Sequence, residues 1–308
     1  MYQYGLIEGK PEEGNWILGE RSDAKHVIVQ SDRNWEPFLP KFEYQKKDYE
    51  TYACVSFSGL NCLETYINRL YGFEYNFSDR YTANISGTIY KKGNYLNKVA
   101  ESIRKDGLVL ERNYQYDAKT PEEYYAPISD SITLQAKEFY EDLEIQWEWV
   151  GSVITEPDKL WEGLQYAPIQ VTVHAWYPPE GPYNRVERER NHAVMLFTGK
   201  YKDSWFIYDH YDEKIKRLSW DFNFGAAIKF TANRKTKESY PLKLIQARGS
   251  ADIYILDRLG RRSRISNMEI FRKGTEKQLW GDLGDIEMVD YPTILEMKED
   301  NPITFELI

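Results

Sequence analysis

The 308-residue sequence predicts an α+β fold, with a helical half first and an antiparallel β half second. Two observations carry that expectation. Up to about residue 143 the apolar residues recur in steps of three or four, the period of one helix face. From Glu144 onward the runs shorten and alternate, as in EIQWEWV and PIQVTVHAW, which is the period of a strand. A charged, non-periodic stretch, TANRKTKESYPLK, then separates a short tail.

Residues 1–48 carry many turn formers and little periodicity, and read as an extended lead-in lying on the body. Glu50 to Tyr71 is the centre of the helical half. Behind Cys54, Phe57, Leu60, Leu63, Ile67 and Leu70 fall on one face, and Gly72 supplies a stop. Leu96, Val99, Ala100 and Ile103 mark a second helix ending at Gly107, and Ile132, Ala136, Phe139 and Leu143 a third. A short helix is expected around Leu160, with Thr155 and Asp158 placed for a cap. The strand-like runs NHAVMLFTG, SWFIYDH, KIKRLSW and GAAIKF follow. The expected domains are residues 1–231, including the lead-in 1–40, and a C-terminal module, 245–308, built around a hairpin turning at Leu259 and Gly260.

Composition narrows the function. The chain has 42% hydrophobic residues and a net charge of −9, which supports a core and argues against a general nucleic-acid binder. Its 25 Tyr and 9 Trp fit β-rich packing. Cys54 and Cys62 lie eight residues apart, roughly 12 Å on a helix, too far for a disulfide. Residues 1–20 contain no apolar signal core and no run reaches membrane-spanning length. The expectation is therefore a soluble, cytoplasmic protein assembled in a reducing cell, with no membrane partner; a virion-associated place is implied only by the resemblance described below. No HExxH, paired CxxC, P-loop or GxGxxG pattern occurs, so no metal and no cofactor is indicated.

The candidate chemistry is nucleophilic. Cys54 stands at the first turn of its helix, where free N–H groups and the helix dipole favour thiolate; its pKa is expected to be depressed. His192 opens a strand, and Asp209 follows it by 209 − 192 = 17 residues. At these residues the chain resembles the papain-like cysteine peptidases. CVSFS stands for the family's nucleophile segment, NHAV for its base segment and WFIYDHY for the segment of its orienting residue. Gln45 in LPKFEYQ occupies the place of the oxyanion-hole glutamine. FSDRY and GNYLNKVAESIRKDGLVLERNYQY match further stretches, so that the likeness covers roughly residues 35–231. His192 follows Cys54 by 192 − 54 = 138 residues, inside the interval of roughly 130–150 found in such enzymes.

The resemblance implies a Cys54–His192–Asp209 triad with Gln45 as oxyanion donor, a protein or peptide substrate, and hydrolysis of peptide or isopeptide bonds. Two departures stand out: the orienting residue is Asp where the family has Asn, and KKDYETYA replaces a shorter, glycine-bearing segment before Cys54. They leave two alternatives open, a catalytically inactive binding or virion-structural protein and a transglutaminase- or amidase-like acyl transferase. The layout resembles phage or bacterial intracellular members. The tail is similar to small modules of bacterial surface and phage proteins, which implies an attachment partner; its Arg258, Arg261, Arg262 and Arg264 read as a solvated hairpin tip. Of the other histidines, His174 is expected in the core or at the cleft rim, His26 in a loop, and His210 on the strand face opposite Asp209. The loop 177–190 is expected to rim the cleft.

Overall fold

The helix that begins at Cys54 sets the architecture. In the computed structural model α1 (Cys54–Tyr71) is buried from Cys54 through Ile67. It ends where Gly72 adopts φ 69° and its N–H closes on the Asn68 carbonyl, a left-handed cap that glycine takes without strain. The structure describes residues 4–12, 15, 17–18, 27–72, 74–151, 157–176, 183–186, 188–211, 214–234, 243–248, 250–256, 261–277, 280, 286–289 and 298–299. The chain divides into two compact units, residues 1–235 and 236–308.

Four more helices complete the helical half. In α2 (Asp79–Ile85) the Ser78 hydroxyl accepts the Tyr81 N–H, an ordinary N-cap. In α3 (Leu96–Asp106) the predicted face Leu96, Val99, Ala100 and Ile103 is buried. Its stop, Gly107, has φ 80°, and a Cβ there would lie 1.9 Å from the Ala136 carbonyl oxygen. The short α4 (Pro121–Tyr124) is capped by Thr120, and α5 (Asp130–Asp142) leads into the β half.

The β half is one sheet of β1 (Leu143–Gly151), β2 (Ile169–Val173), β3 (His192–Lys200), β4 (Ser204–Tyr208), β5 (Ile215–Ser219) and β6 (Ala227–Arg234), in the order β1-β6-β2-β3-β4-β5. All its paired strands are antiparallel. Between β1 and β2 lies α6 (Pro157–Gly163), with Asp158 in its first turn; Thr155 falls outside the described residues.

Helix α1 packs on β3 and β6. Gly59 makes the approach close, with Gln170 and the Phe230 ring 3.5 Å from where its Cβ would stand. Gln170 Nε2 donates to the Val55 carbonyl and to Ser58 Oγ, both at 2.7 Å. The first turn of α1 is thereby bonded to the middle of the sheet, which fixes Cys54 relative to β3.

The second unit holds β7 (Lys243–Ala247), β8 (Ile253–Leu256), β9 (Arg261–Arg264), α7 (Met268–Glu276), β10 (Glu287–Val289) and β11 (Lys298–Glu299). β8 and β9 pair antiparallel; residues 257–260, where the hairpin turn is expected, and with them Arg258, lie outside the described residues. β10 and β11 join the sheet edges in parallel. Among the described residues no helix is long and apolar enough to cross a membrane.

Candidate active site

Three element ends converge. Cys54 is the first residue of α1, His192 the first of β3, and Asp209 follows the last residue of β4. The backbone N–H groups of Ala193, the neighbour of His192, and of Val55 lie close enough to Cys54 to favour its thiolate. His192 Nε2 lies 2.8 Å from Asp209 Oδ1, and Nδ1 has no hydrogen-bond partner.

Asp209 is the most heavily bonded group of the site. Oδ1 also accepts the His210 N–H at 2.8 Å; Oδ2 accepts the Trp176 indole N–H at 2.8 Å and the Lys216 ammonium at 3.1 Å. Four donors therefore meet one carboxylate. Burial alone would raise its pKa, but the charge and hydrogen bond of His192, with His210 and Lys216, hold it well below the usual carboxylate range. Lys216 is itself 4% exposed and stands 5.3 Å over the Trp176 ring. An acceptor-only carboxylate suits this cage, whereas an Asn would turn an NH₂ group towards donors. The tertiary surroundings thus explain why this position is Asp.

Gln45, Cys54, His192 and Asp209 are all 0% exposed. Burial pushes the Cys54 thiol well above its ordinary pKa, with Glu50 and Asp209 adding to the rise and the two backbone N–H groups opposing it. This reverses the expected depression: the helix N-terminus is present, but desolvation outweighs it. Cys62, also buried, is raised by burial alone. Both cysteines are free.

Gln45 is placed beside the site, its N–H bonded to the His210 carbonyl. Its Nε2 donates to the Tyr4 carbonyl at 3.2 Å and to Glu50 Oε1 at 2.6 Å. The segment KKDYETYA thus brings in a carboxylate: Glu50 also accepts the Tyr52 N–H and, at 2.7 Å, the Tyr211 hydroxyl. Sequence reasoning missed Glu50, Trp176 and Lys216. Only the unusual segment before Cys54 pointed to the first, and nothing marked the others.

The remaining histidines fall differently. His210 does not point away: its ring lies 5.2 Å from that of His192 and 5.3 Å from that of Phe57. Strand β4 stops at Tyr208, so alternation no longer governs the next two residues. Burial lowers its pKa to about 3 and keeps it neutral. His174 stacks on Phe222 at 4.7 Å, in the core. His26 and residues 177–182 and 187 of the expected rim lie outside the described residues.

His192, Asp209 and His210 are also the one group among the described residues whose ligand atoms lie close enough to share a metal ion. The fit is poor, because the carboxylate already takes four donors, one of them an ammonium.

No family model and no curated protein matches the sequence. Solved structures do. Digestive procathepsin L 3 of Tenebrio molitor larval midgut is similar at 14% identity and a TM-score of 0.50, covering 68% of this chain and 71% of that one. A clostridial cysteine protease, Cwp84 after propeptide cleavage, is similar at 15% identity and a TM-score of 0.50, covering 68% of this chain and 58% of that one. With a helical half packed on an antiparallel sheet and these two likenesses, the chain carries the papain-like cysteine-protease fold.

Proposed function

We propose that the chain is a cysteine peptidase acting on peptide or isopeptide bonds, with Cys54 as nucleophile, His192 as acid–base and Asp209 as the group that orients His192. Fold alone does not assign chemistry. The observation that supports this reading is the bonding of His192. Asp209 holds Nε2 and leaves Nδ1 without a hydrogen-bond partner, while the backbone N–H of Ala193, the very next residue, acts on Cys54.

In the reaction Cys54 passes its proton to His192 and attacks the substrate carbonyl carbon. The tetrahedral oxyanion faces the backbone N–H of Cys54 at the start of α1. The carbon–nitrogen bond then breaks, the amine leaves with the proton from His192, and a thioester remains. Water adds to the thioester, His192 taking its proton, and the carboxylic acid and free thiol are released. Gln45 joins the oxyanion donors once its Nε2 is released from Tyr4 and Glu50. The second compact unit, residues 236–308, is assigned an attachment or recognition role in this reading.

A non-catalytic role is the second reading, favoured by the full burial of Cys54 and by the Glu50 carboxylate on Gln45. Replacing Cys54 by Ala separates the two. Turnover of a fluorogenic peptide mixture is expected to fall to background in Cys54→Ala with thermal unfolding unchanged. Equal turnover in both proteins, or none in the wild type, favours the second reading.

A further inference from the structure

The segment KKDYETYA, where the chain departs from the family resemblance, sets a carboxylate on the side chain expected to donate to an oxyanion. Gln45 Nε2 carries two hydrogens and both are spent, on Glu50 Oε1 at 2.6 Å and on the Tyr4 carbonyl at 3.2 Å. An ionised carboxylate and a carbonyl only accept, so the amide nitrogen, and not its oxygen, must face them. Gln45 Oε1 is left buried without a hydrogen-bond partner. A bond to a charged oxygen is roughly twice as strong as a neutral one, which makes Glu50 the stronger hold of the two.

Both ends of that bond are pinned. The Gln45 N–H donates to the His210 carbonyl at 3.0 Å, and the Gln45 carbonyl accepts the Tyr116 hydroxyl at 3.0 Å. On the other side Glu50 Oε1 also accepts the Tyr52 N–H at 3.1 Å, and Oε2 accepts the Tyr211 hydroxyl at 2.7 Å. The next residue, Thr51, is fully buried, and its carbonyl accepts the Tyr125 hydroxyl. The carboxylate is therefore fixed by the fold, and the Gln45 side chain is the part left to move. An oxyanion on the same nitrogen would stand beside that carboxylate, where two like charges repel. The Glu50 charge also reaches Cys54, where it adds to the rise of the thiol pKa.

We propose that Glu50 is a positioning residue of the peptidase reaction proposed above, on which this role rests: its carboxylate holds Gln45 Nε2 off the oxyanion in the resting site, and exchange of that bond completes the oxyanion hole. A donor that must first leave a carboxylate stabilises the transition state by less than a free one, because the cost of leaving is subtracted from its new bond. Glu50 thus limits the chemical step through Gln45 and leaves substrate binding alone.

The test is steady-state kinetics on a fluorogenic peptide that the wild type cleaves in a Cys54-dependent way. The kcat and KM of Glu50→Ala and Glu50→Gln are measured in the wild-type background and in Gln45→Ala. In the wild-type background kcat is expected to rise about tenfold in Glu50→Ala. A several-fold rise is expected in Glu50→Gln, whose neutral carbonyl still holds the amide, and KM should change little in either. In Gln45→Ala the same substitutions should gain clearly less, through the charge on Cys54 alone, and the difference is the coupling of the two residues. Glu50→Gln keeps an acceptor for the Tyr52 N–H and carries the test if thermal unfolding shows that Glu50→Ala does not fold. A kcat that falls or stays level in the Glu50 variants, a change confined to KM, or an equal gain in both backgrounds overturns this role and leaves the peptidase reading standing. If the wild type turns over no peptide, the peptidase reading falls and this role falls with it.

Discussion

Asp209→Ala is expected to lose peptidase turnover and about 3–5 kcal/mol of stability together, the cost of breaking a buried ion pair from one side. Lys216, 4% exposed with its ammonium 3.1 Å from the lost carboxylate, is left charged and buried. The His210 N–H and the Trp176 indole lose their acceptor as well. Asp209→Asn keeps the shape but offers one acceptor oxygen and an NH₂ to four donors. Turnover is therefore expected to fall on the order of 10²-fold, within the range assigned to a positioned acid–base group. Removing the surplus charge should undo part of this, and Asp209→Asn combined with Lys216→Met is expected to recover activity and melting temperature relative to Asp209→Asn alone. A double-mutant cycle on turnover and thermal unfolding measures the coupling. Full activity in Asp209→Asn, or no recovery in the double variant, shows that the Lys216 charge does not set the identity of this residue.

The second large effect concerns pH. The carboxyls of Glu64 in α1, Asp79 in α2 and Glu111 gather with Glu43. Burial and then mutual repulsion raise Glu64 and Asp79 well above the usual range, and burial raises Glu111 to about 8. The Lys47 ammonium acts on Glu111 in the opposite sense, and Tyr124 and Tyr208 are titratable neighbours of the cluster. Well below their ordinary values of 4.5 for Glu and 3.8 for Asp, these carboxyls are protonated in both states. Above those values the unfolded chain releases protons that the fold retains, so stability falls as pH rises towards the folded values. For Glu111 alone the loss by pH 8 is on the order of 4 kcal/mol. Asp209 and Glu101 act with the opposite sign, since their lowered values stabilise above about pH 4 and are lost only in stronger acid. The melting temperature is thus expected to peak near pH 5 and decline to pH 9. Glu111→Gln and Glu64→Gln, which keep the carbonyl acceptors for the Tyr116 and Phe77 N–H groups, should flatten the decline and change little at pH 4.5. A level profile from pH 5 to 9 in the wild type counts against protonated carboxyls in this cluster.

Much of the fold was legible because its signals are local. The apolar face of α1, the stop at Gly72, the face of α3 and the alternation in β1 each depend on residues within a turn or two of one another. The positions of Cys54 and His192 at element starts were legible for the same reason, since an element start is a property of nearby sequence; the end of β4 before Asp209 was not. The parallel edges β10 and β11 of the second sheet were not, because pairing partners are chosen across the chain.

What the sequence by itself determined is the order of elements and the residues offered to the site. Only the tertiary structure decided their electrostatic state. Lys216 enters from β5 and Trp176 from beyond β2, and their convergence turns an apparent departure into the residue the cage requires. The same packing reverses the expectation for Cys54, because the thiol is fully buried and its desolvation exceeds what a helix N-terminus supplies. Charge state depends on every neighbour within a few ångströms, and those neighbours are assembled by the fold rather than by adjacency in the chain.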